Sequence, residues 1–206
     1  MKNFLCLFLL CCVVFQLHAQ STSESDRISF NKRSYPLLTM PLDQYFLENP
    51  AVSPNPPAPA TLKERLYRAH WNIENCQLIL SQIEGARDGI PLGLARSLPQ
   101  VAKWYSGLLV IPTGRELYFD LNGEAVSFSN YKLYIVQNGN IIQEKSMSYD
   151  EYEKYKKLQF QQFKQTKEYQ DIAQSLIEYG LDSNLDEYIF SQNMGFLDIS
   201  VPFSQP

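Results

Sequence analysis

The chain is poor in the residues that carry most protein chemistry. It holds two histidines, His18 and His70, and four cysteines, three of which (Cys6, Cys11 and Cys12) fall within the first twelve positions. Such scarcity leaves no His-rich metal site and no structural zinc set to assemble. The patterns G-x-G-x-x-G, G-x-S-x-G, H-E-x-x-H, a Walker-type loop and an EF-hand loop are all missing, so the common nucleotide, nucleophile and calcium devices are missing with them. Positive charge is also short. Against 22 Asp and Glu stand 18 Lys and Arg, a formal charge of -4 and a pI near 5.2, which gives no electrostatic reason to expect a nucleic acid or an anionic lipid as the main partner. Long apolar runs are confined to the N-terminus, and no stop-transfer pattern follows downstream.

What is present is apolar material. Hydrophobic residues make up 45% of the 206 positions and aromatics 13%, enough for one domain with a core and too much for wholesale disorder. The first nineteen residues read as a signal peptide: Lys2, then an apolar run from Phe4 to Phe15, then Gln16-Leu17-His18-Ala19, with cleavage expected between Ala19 and Gln20. This places the protein outside the cell or in the periplasm. Lipidation at Cys11 or Cys12 is the second choice, because the large Phe8-Leu9-Leu10 precede them. Cleavage would leave Cys76 and His70 as the sole cysteine and histidine, exclude an internal disulfide, and move the formal charge from -4 to -5 as Lys2 departs.

Residues 20–61 read as a leader and Pro-rich linker. Ser21 to Ser34 is polar and without apolar period, so a mobile leader is expected there. Pro41 to Leu47 suits a helical turn or two, and the prolines of Ala51 to Ala60 favour an extended spacer. Residues 62–148 read as an antiparallel β domain. Tyr67, Ala69, Trp71 and Ile73 alternate with Arg68, His70 and Asn72, the pattern of a half-buried strand, and Glu74-Asn75-Cys76 turns into Leu78 to Ile83. Gly85 to Gln100 is a long connection. Strands are expected over Val101 to Ile111, Glu116 to Leu121, Ala125 to Phe128, Tyr131 to Val136 and Asn140 to Lys145, with turns at Pro112 to Arg115, Asn122-Gly123 and Asn138-Gly139. From Ser148, residues 149–206 read as a helical segment packing on or beside the sheet. Ser148 and Glu151 match a capping box, and no proline or glycine intervenes before Gly180. A helix of about 30 residues would run about 45 Å, longer than the sheet, so a break or a projecting end is expected. Asn184 to Ser191 suits a short helix and Phe196 to Val201 a short strand. The fold class is α+β: an antiparallel β meander or partly closed barrel followed by a long C-terminal helix.

Candidate sites are few, and each has a plain structural alternative. His70, on the wet face beside Arg68, reads as a surface residue rather than a member of a triad. Cys76 reads as a turn residue. Glu74, Glu84, Glu116, Asp120 and Glu124 flank strand ends, and two of them at the right separation could serve glycoside hydrolysis, although nothing in the spacing selects a pair. Tyr67, Trp71, Trp104, Tyr105, Tyr118, Phe119, Phe128 and Tyr131 could stack on sugars or grip a peptide, with core filling the simpler role. No catalytic, cofactor-binding or metal residue is assigned, and no cofactor is implied.

Two segments resemble a known pattern. Arg65-Leu66-Tyr67-Arg68-Ala69-His70-Trp71-Asn72-Ile73, followed by Leu78-Ile79-Leu80, is similar to R-G-Y-x-x-x-W-E-I and L-x-L of a family of small bacterial proteins with no assigned function. Trp104 to Gly114 resembles that family's W-[FY]-S-G-x-L-x-I-P-x-G, and Pro41-Leu42 to Tyr45-Phe46 its P-L-x-x-Y-[FL]. The match runs from about Pro41 to Gly139. It departs at Leu66 and Asn72, where the family has glycine and glutamate, and at Asp120 and Ser129. The resemblance implies a shared β-rich fold and no reaction, with Tyr67, Trp71, Trp104, Ser106 and Gly107 as pattern residues. Trp71 and Trp104 are expected in the core.

These readings converge on a non-enzymatic secreted or periplasmic protein whose β sheet presents a binding surface, with a protein or glycan as the class of partner. The alternatives are a carboxylate-dependent hydrolase of glycan or peptide, using acids such as Glu116 and Asp120, and an inhibitor or immunity protein for a secreted toxin.

Overall fold

The computed structural model describes residues 25–54, 65–86, 89–90, 92–93, 97–119, 125–181 and 183–192. Three hairpins are set by local backbone chemistry. Asn31-Lys32, Asn75-Cys76 and Asn138-Gly139 all take two successive positive φ values (50° and 60°, 48° and 58°, 47° and 76°), the conformation of the two-residue turn whose twist suits antiparallel strands. They join β1 (Asp26–Phe30) to β2 (Arg33–Leu37), β3 (Tyr67–Glu74) to β4 (Gln77–Gly85), and β8 (Asn130–Gln137) to β9 (Asn140–Ser148). With β5 (Gly107–Pro112) these strands form a seven-stranded sheet in the order β2-β1-β3-β4-β9-β8-β5. Neighbours are antiparallel except β1 and β3, which run parallel. β6 (Glu116–Phe119) and β7 (Ala125–Phe128) form a separate two-stranded ribbon between β5 and β8 in the chain.

The sheet curls without closing. The β3–β4 and β8–β9 hairpins meet near their turns, where Gln77 pairs with Asn140, the Leu78 amide donates to the Gly139 carbonyl (2.9 Å) and the Ile141 amide to that of Cys76 (2.7 Å). The outer strands approach at one place: the Leu38 amide donates to the Val110 carbonyl (2.9 Å) and the Val110 amide to Thr39 Oγ1 (3.3 Å).

Two of the expectations are corrected here. The leader expected to be mobile over Ser21 to Ser34 contains β1 and the start of β2, and Asp26 and Ile28 are fully buried. The β unit therefore begins well before residue 62. Its two strands are five residues each, too short for their alternation to stand out, and the inward position of Asp26 breaks the apolar pattern. Strand structure also begins later than Val101. That residue makes one bridge, to Ile79, and a turn in which the Tyr105 amide donates to the Ala102 carbonyl precedes β5. The turn expected at Asn122-Gly123, the prolines from Pro56 to Pro59 and the strand expected over Phe196 to Val201 lie outside the described residues.

Each face of the sheet carries its own apolar layer. On one, Ile28, Leu37, Tyr67, Ala69, Trp71, Leu78, Leu80, Ile83, Leu109, Ile111 and Val136 pack with Leu42 and Phe46 of α1 (Pro41–Glu48). On the other, Leu108, Val110, Leu133 and Ile135 pack with the helices. This is why β5 and β8 read as continuous apolar runs: both of their faces are covered. The helical segment breaks, as its length suggested, into α2 (Tyr149–Phe163) and α3 (Lys167–Glu178), followed by α4 (Leu185–Gln192). Ser148 caps α2 in a full capping box, and Thr166 opens α3 by accepting from the Tyr169 amide. No described helix is long and apolar enough to cross a membrane.

Candidate functional site

Three places gather polar or aromatic side chains. The first lies where β1 joins β3. Asp26, with no exposure, accepts from the Ala69 amide (2.8 Å) and Trp71 Nε1 (3.0 Å) and pairs with Arg65 Nη1 (2.6 Å). The Arg65 guanidinium lies 4.1 Å above the Tyr67 ring, its Nε 3.7 Å from Asp43, and the Tyr67 hydroxyl donates to Asp43. Burial works against the Arg65 charge, but Asp26, Tyr67 and Asp43 more than offset this and hold the group firmly protonated. Burial likewise pushes the Tyr67 phenol well up, with Asp43 and Asp26 adding to it against Arg65. An arginine fixed by a carboxylate and stacked on a ring is a positioning device. It locks the first strand onto the third.

This network accounts for the first patterned segment, because Arg65, Tyr67 and Trp71 all converge on Asp26 and Asp43. The second segment packs near it. Trp104 is half-buried and meets Tyr45 edge-on at 4.9 Å, so of the two tryptophans expected in the core only Trp71 is fully enclosed. Ser106 Oγ accepts from the Asn138 amide (3.0 Å), holding the start of β5 to the β8–β9 turn. A Cβ on Gly107 would stand 2.8 Å from the Tyr105 hydroxyl, and one on Gly114 would stand 2.5 Å from the Asn130 amide nitrogen. These pattern residues do structural work.

The second place is the polar face of β3 and β4. Glu84 Oε1 lies 3.1 Å from both Arg68 Nη1 and His70 Nε2, and Gln82 Nε2 donates weakly to Oε2 (3.5 Å). Sequence reading had His70 beside Arg68 but gave no hint of Glu84 as their common partner. The cross-strand register supplies it, opposing Arg68 to Glu84 and His70 to Gln82. The Ser81 hydroxyl donates to the His70 carbonyl (2.9 Å) and is thus turned to the backbone rather than the imidazole. The remaining candidates do not come together. Glu74 accepts from Asn72 on an exposed surface, Glu116 is exposed on the ribbon, and Asp120 and Glu124 lie outside the described residues. Cys76 is an exposed free thiol within its turn. Among the described residues no cluster of His, Cys, Asp and Glu could hold a metal ion.

The third place is the β6–β7 ribbon. Its Tyr118 and Phe119 are 59% and 54% exposed, while Phe128, opposite Glu116, turns into the helix-side core. Tyr118 leans on Tyr149 at the start of α2, with ring centroids 6.0 Å apart and planes at 52°. Beside this pair Tyr149, Asp150, Glu153, Lys154 and Lys157 line an open depression of about 360 Å³. Two adjacent exposed aromatics at the end of a short ribbon cost solvation free energy and add nothing to the core, which makes them the chain's most conspicuous surface feature. Comparison with protein-family models, with curated proteins and with solved structures finds no match for this chain.

Proposed function

We propose that this protein is exported, is cleaved near Ala19, and acts as a non-enzymatic binding protein that uses the β6–β7 ribbon as its contact surface. The observation that carries the reading is the exposure of Tyr118 and Phe119 side by side on a two-stranded ribbon that forms no part of the main sheet. Aromatic side chains supply large contact area at low cost in side-chain entropy, and they dominate binding hot spots when a partner covers them. Support for kinship with the small bacterial proteins of the R-G-Y-x-x-x-W-E-I pattern comes from the shared packing of Arg65, Tyr67 and Trp71 around Asp26.

The test is retention of the purified protein on cell-envelope fractions of its own host. Tyr118→Ser with Phe119→Ser should lose retention while keeping the wild-type circular dichroism and urea midpoint. Retention equal to wild type would sink the ribbon as the contact surface, and turnover of an envelope polymer by the wild-type protein would sink the non-enzymatic reading. Mass spectrometry of the exported form should find its N-terminus at or near Gln20.

A further inference from the structure

We propose that the depression at the foot of the ribbon binds a neutral oligosaccharide, with Tyr118 and Tyr149 as the stacking surface and Asp150, Glu153, Lys154 and Lys157 as hydrogen-bonding partners. This rests on the ribbon being the contact surface and adds the chemical class of what it contacts. Three observations favour that class. The first is charge balance: two carboxylates and two ammonium groups line the depression, so it offers no net attraction to an ion of either sign. A sugar hydroxyl both donates and accepts, and it is served equally by carboxylate oxygens, which only accept, and by ammonium groups, which only donate. The second is the aromatic wall. Tyr118 and Tyr149 stand at 52° to one another, giving two ring faces at an open edge rather than a closed apolar slot. An apolar peptide side chain would want an enclosed pocket, whereas a sugar ring needs one apolar face against an aromatic and its hydroxyls left wet. The third is size. At about 360 Å³ the depression lies at the lower end of the roughly 300–1,000 Å³ usual for small-molecule sites, room for a short stretch of a chain that continues into solvent on both sides.

The local electrostatics agree. Partial burial first, then Glu153, Tyr118 and Asp150, raise the Tyr149 phenol above its ordinary value, so it stays a neutral donor at any physiological pH. Asp150 and Glu153 lie three apart on one face of α2, and Lys154 and Lys157 do the same beside them, so both kinds of group are presented along one helix edge.

The experiment is calorimetric titration of the purified protein with cellohexaose, chitohexaose and mannohexaose as neutral probes, and with an oligogalacturonate and a tetralysine peptide as charged ones. Saturable binding of a neutral hexasaccharide is expected, weakened about tenfold or more in Tyr118→Ala and in Glu153→Gln. Ile177→Ala, exposed on α3 and away from the depression, should bind as wild type. Because Tyr118 and Glu153 both lie at the surface, neither substitution threatens the fold. Absence of binding to every neutral probe, binding of the charged probes alone, or neutral binding that Tyr118→Ala leaves unchanged would each overturn the proposal. If no sugar binds but the ribbon double variant still loses envelope retention, the glycan assignment fails and the ribbon stands. If retention is also unaffected, both fail.

Discussion

Asp26 is the residue on which the most polar contacts of the interior depend. Replacing it with alanine leaves the Arg65 guanidinium, the Trp71 indole N–H and the Ala69 amide without their acceptor, and removal of one partner of a buried charge pair costs about 3–5 kcal/mol. Asp26→Ala should therefore lower the urea midpoint sharply, and an unchanged midpoint would mean that the network is ornamental. The two tryptophans should separate in the same assay. Trp71 is fully buried, so Trp71→Ala should cost about 3–5 kcal/mol, while the half-buried Trp104 should cost clearly less. Equal losses would show that Trp104 is as enclosed in solution as Trp71.

Whole elements test the corrected N-terminal boundary. Deleting residues 25–37 removes Ile28 and Leu37 from the core and uncovers one edge of β3, so the shortened chain should fail to give a dispersed NMR spectrum. A dispersed, cooperative fold without that hairpin would restore the reading of the segment as a dispensable leader. The β8–β9 turn is similarly intolerant. Gly139 holds φ at +76° and a Cβ there would stand 2.8 Å from Ala102 backbone atoms, so Gly139→Ala should cost more than the roughly 1–2 kcal/mol of the left-handed conformation alone. At the other end of β9, Ser148→Ala removes the acceptor for the Glu151 amide and should cost about 1 kcal/mol, read as a small shift in thermal midpoint.

The molecule as a whole should be sensitive to alkali. Burial pushes the Tyr131 phenol up to about 12, and Tyr169 also rises to about 12, by desolvation first and then by its bond to Asp186. Burial raises Tyr67, Tyr105 and Tyr152 as well. A group whose folded value lies above its unfolded value of about 10 holds its proton more tightly when folded. Its stabilisation is complete below about pH 10 and is lost as pH rises from there towards 12. Urea midpoints should be flat from neutrality to about pH 9 and fall beyond it, with tyrosinate absorbance appearing together with unfolding. Ionisation of all the tyrosines ahead of unfolding would contradict their burial. Asp186 acts at the other extreme: its bonds to Lys164 and Tyr169 hold its pKa below the usual range, so this tie between the helices is intact above about pH 4 and lost as acid protonates it.

The features that sequence alone determined are local. The turn at Asn138-Gly139, the capping box at Ser148 and the inward alternation of Tyr67, Ala69 and Trp71 depend on backbone preference and on side-chain period, and these operate over a few residues. A break in the long C-terminal helical stretch was legible from its length, though not its place at Thr166. Tertiary structure decided whatever needs partners distant in the chain. The inclusion of residues 26–37 in the sheet rests on Asp26 meeting Arg65, 39 positions away, a contact with no local signal. The partnership of His70 and Arg68 with Glu84 comes from cross-strand register. The candidate site follows the same logic: Tyr118 and Tyr149 lie 31 positions apart and become neighbours only because the ribbon folds back onto the start of α2. Composition could show that the aromatics were there, but packing alone sends Trp71 and Phe128 inward and leaves Tyr118 and Phe119 in water.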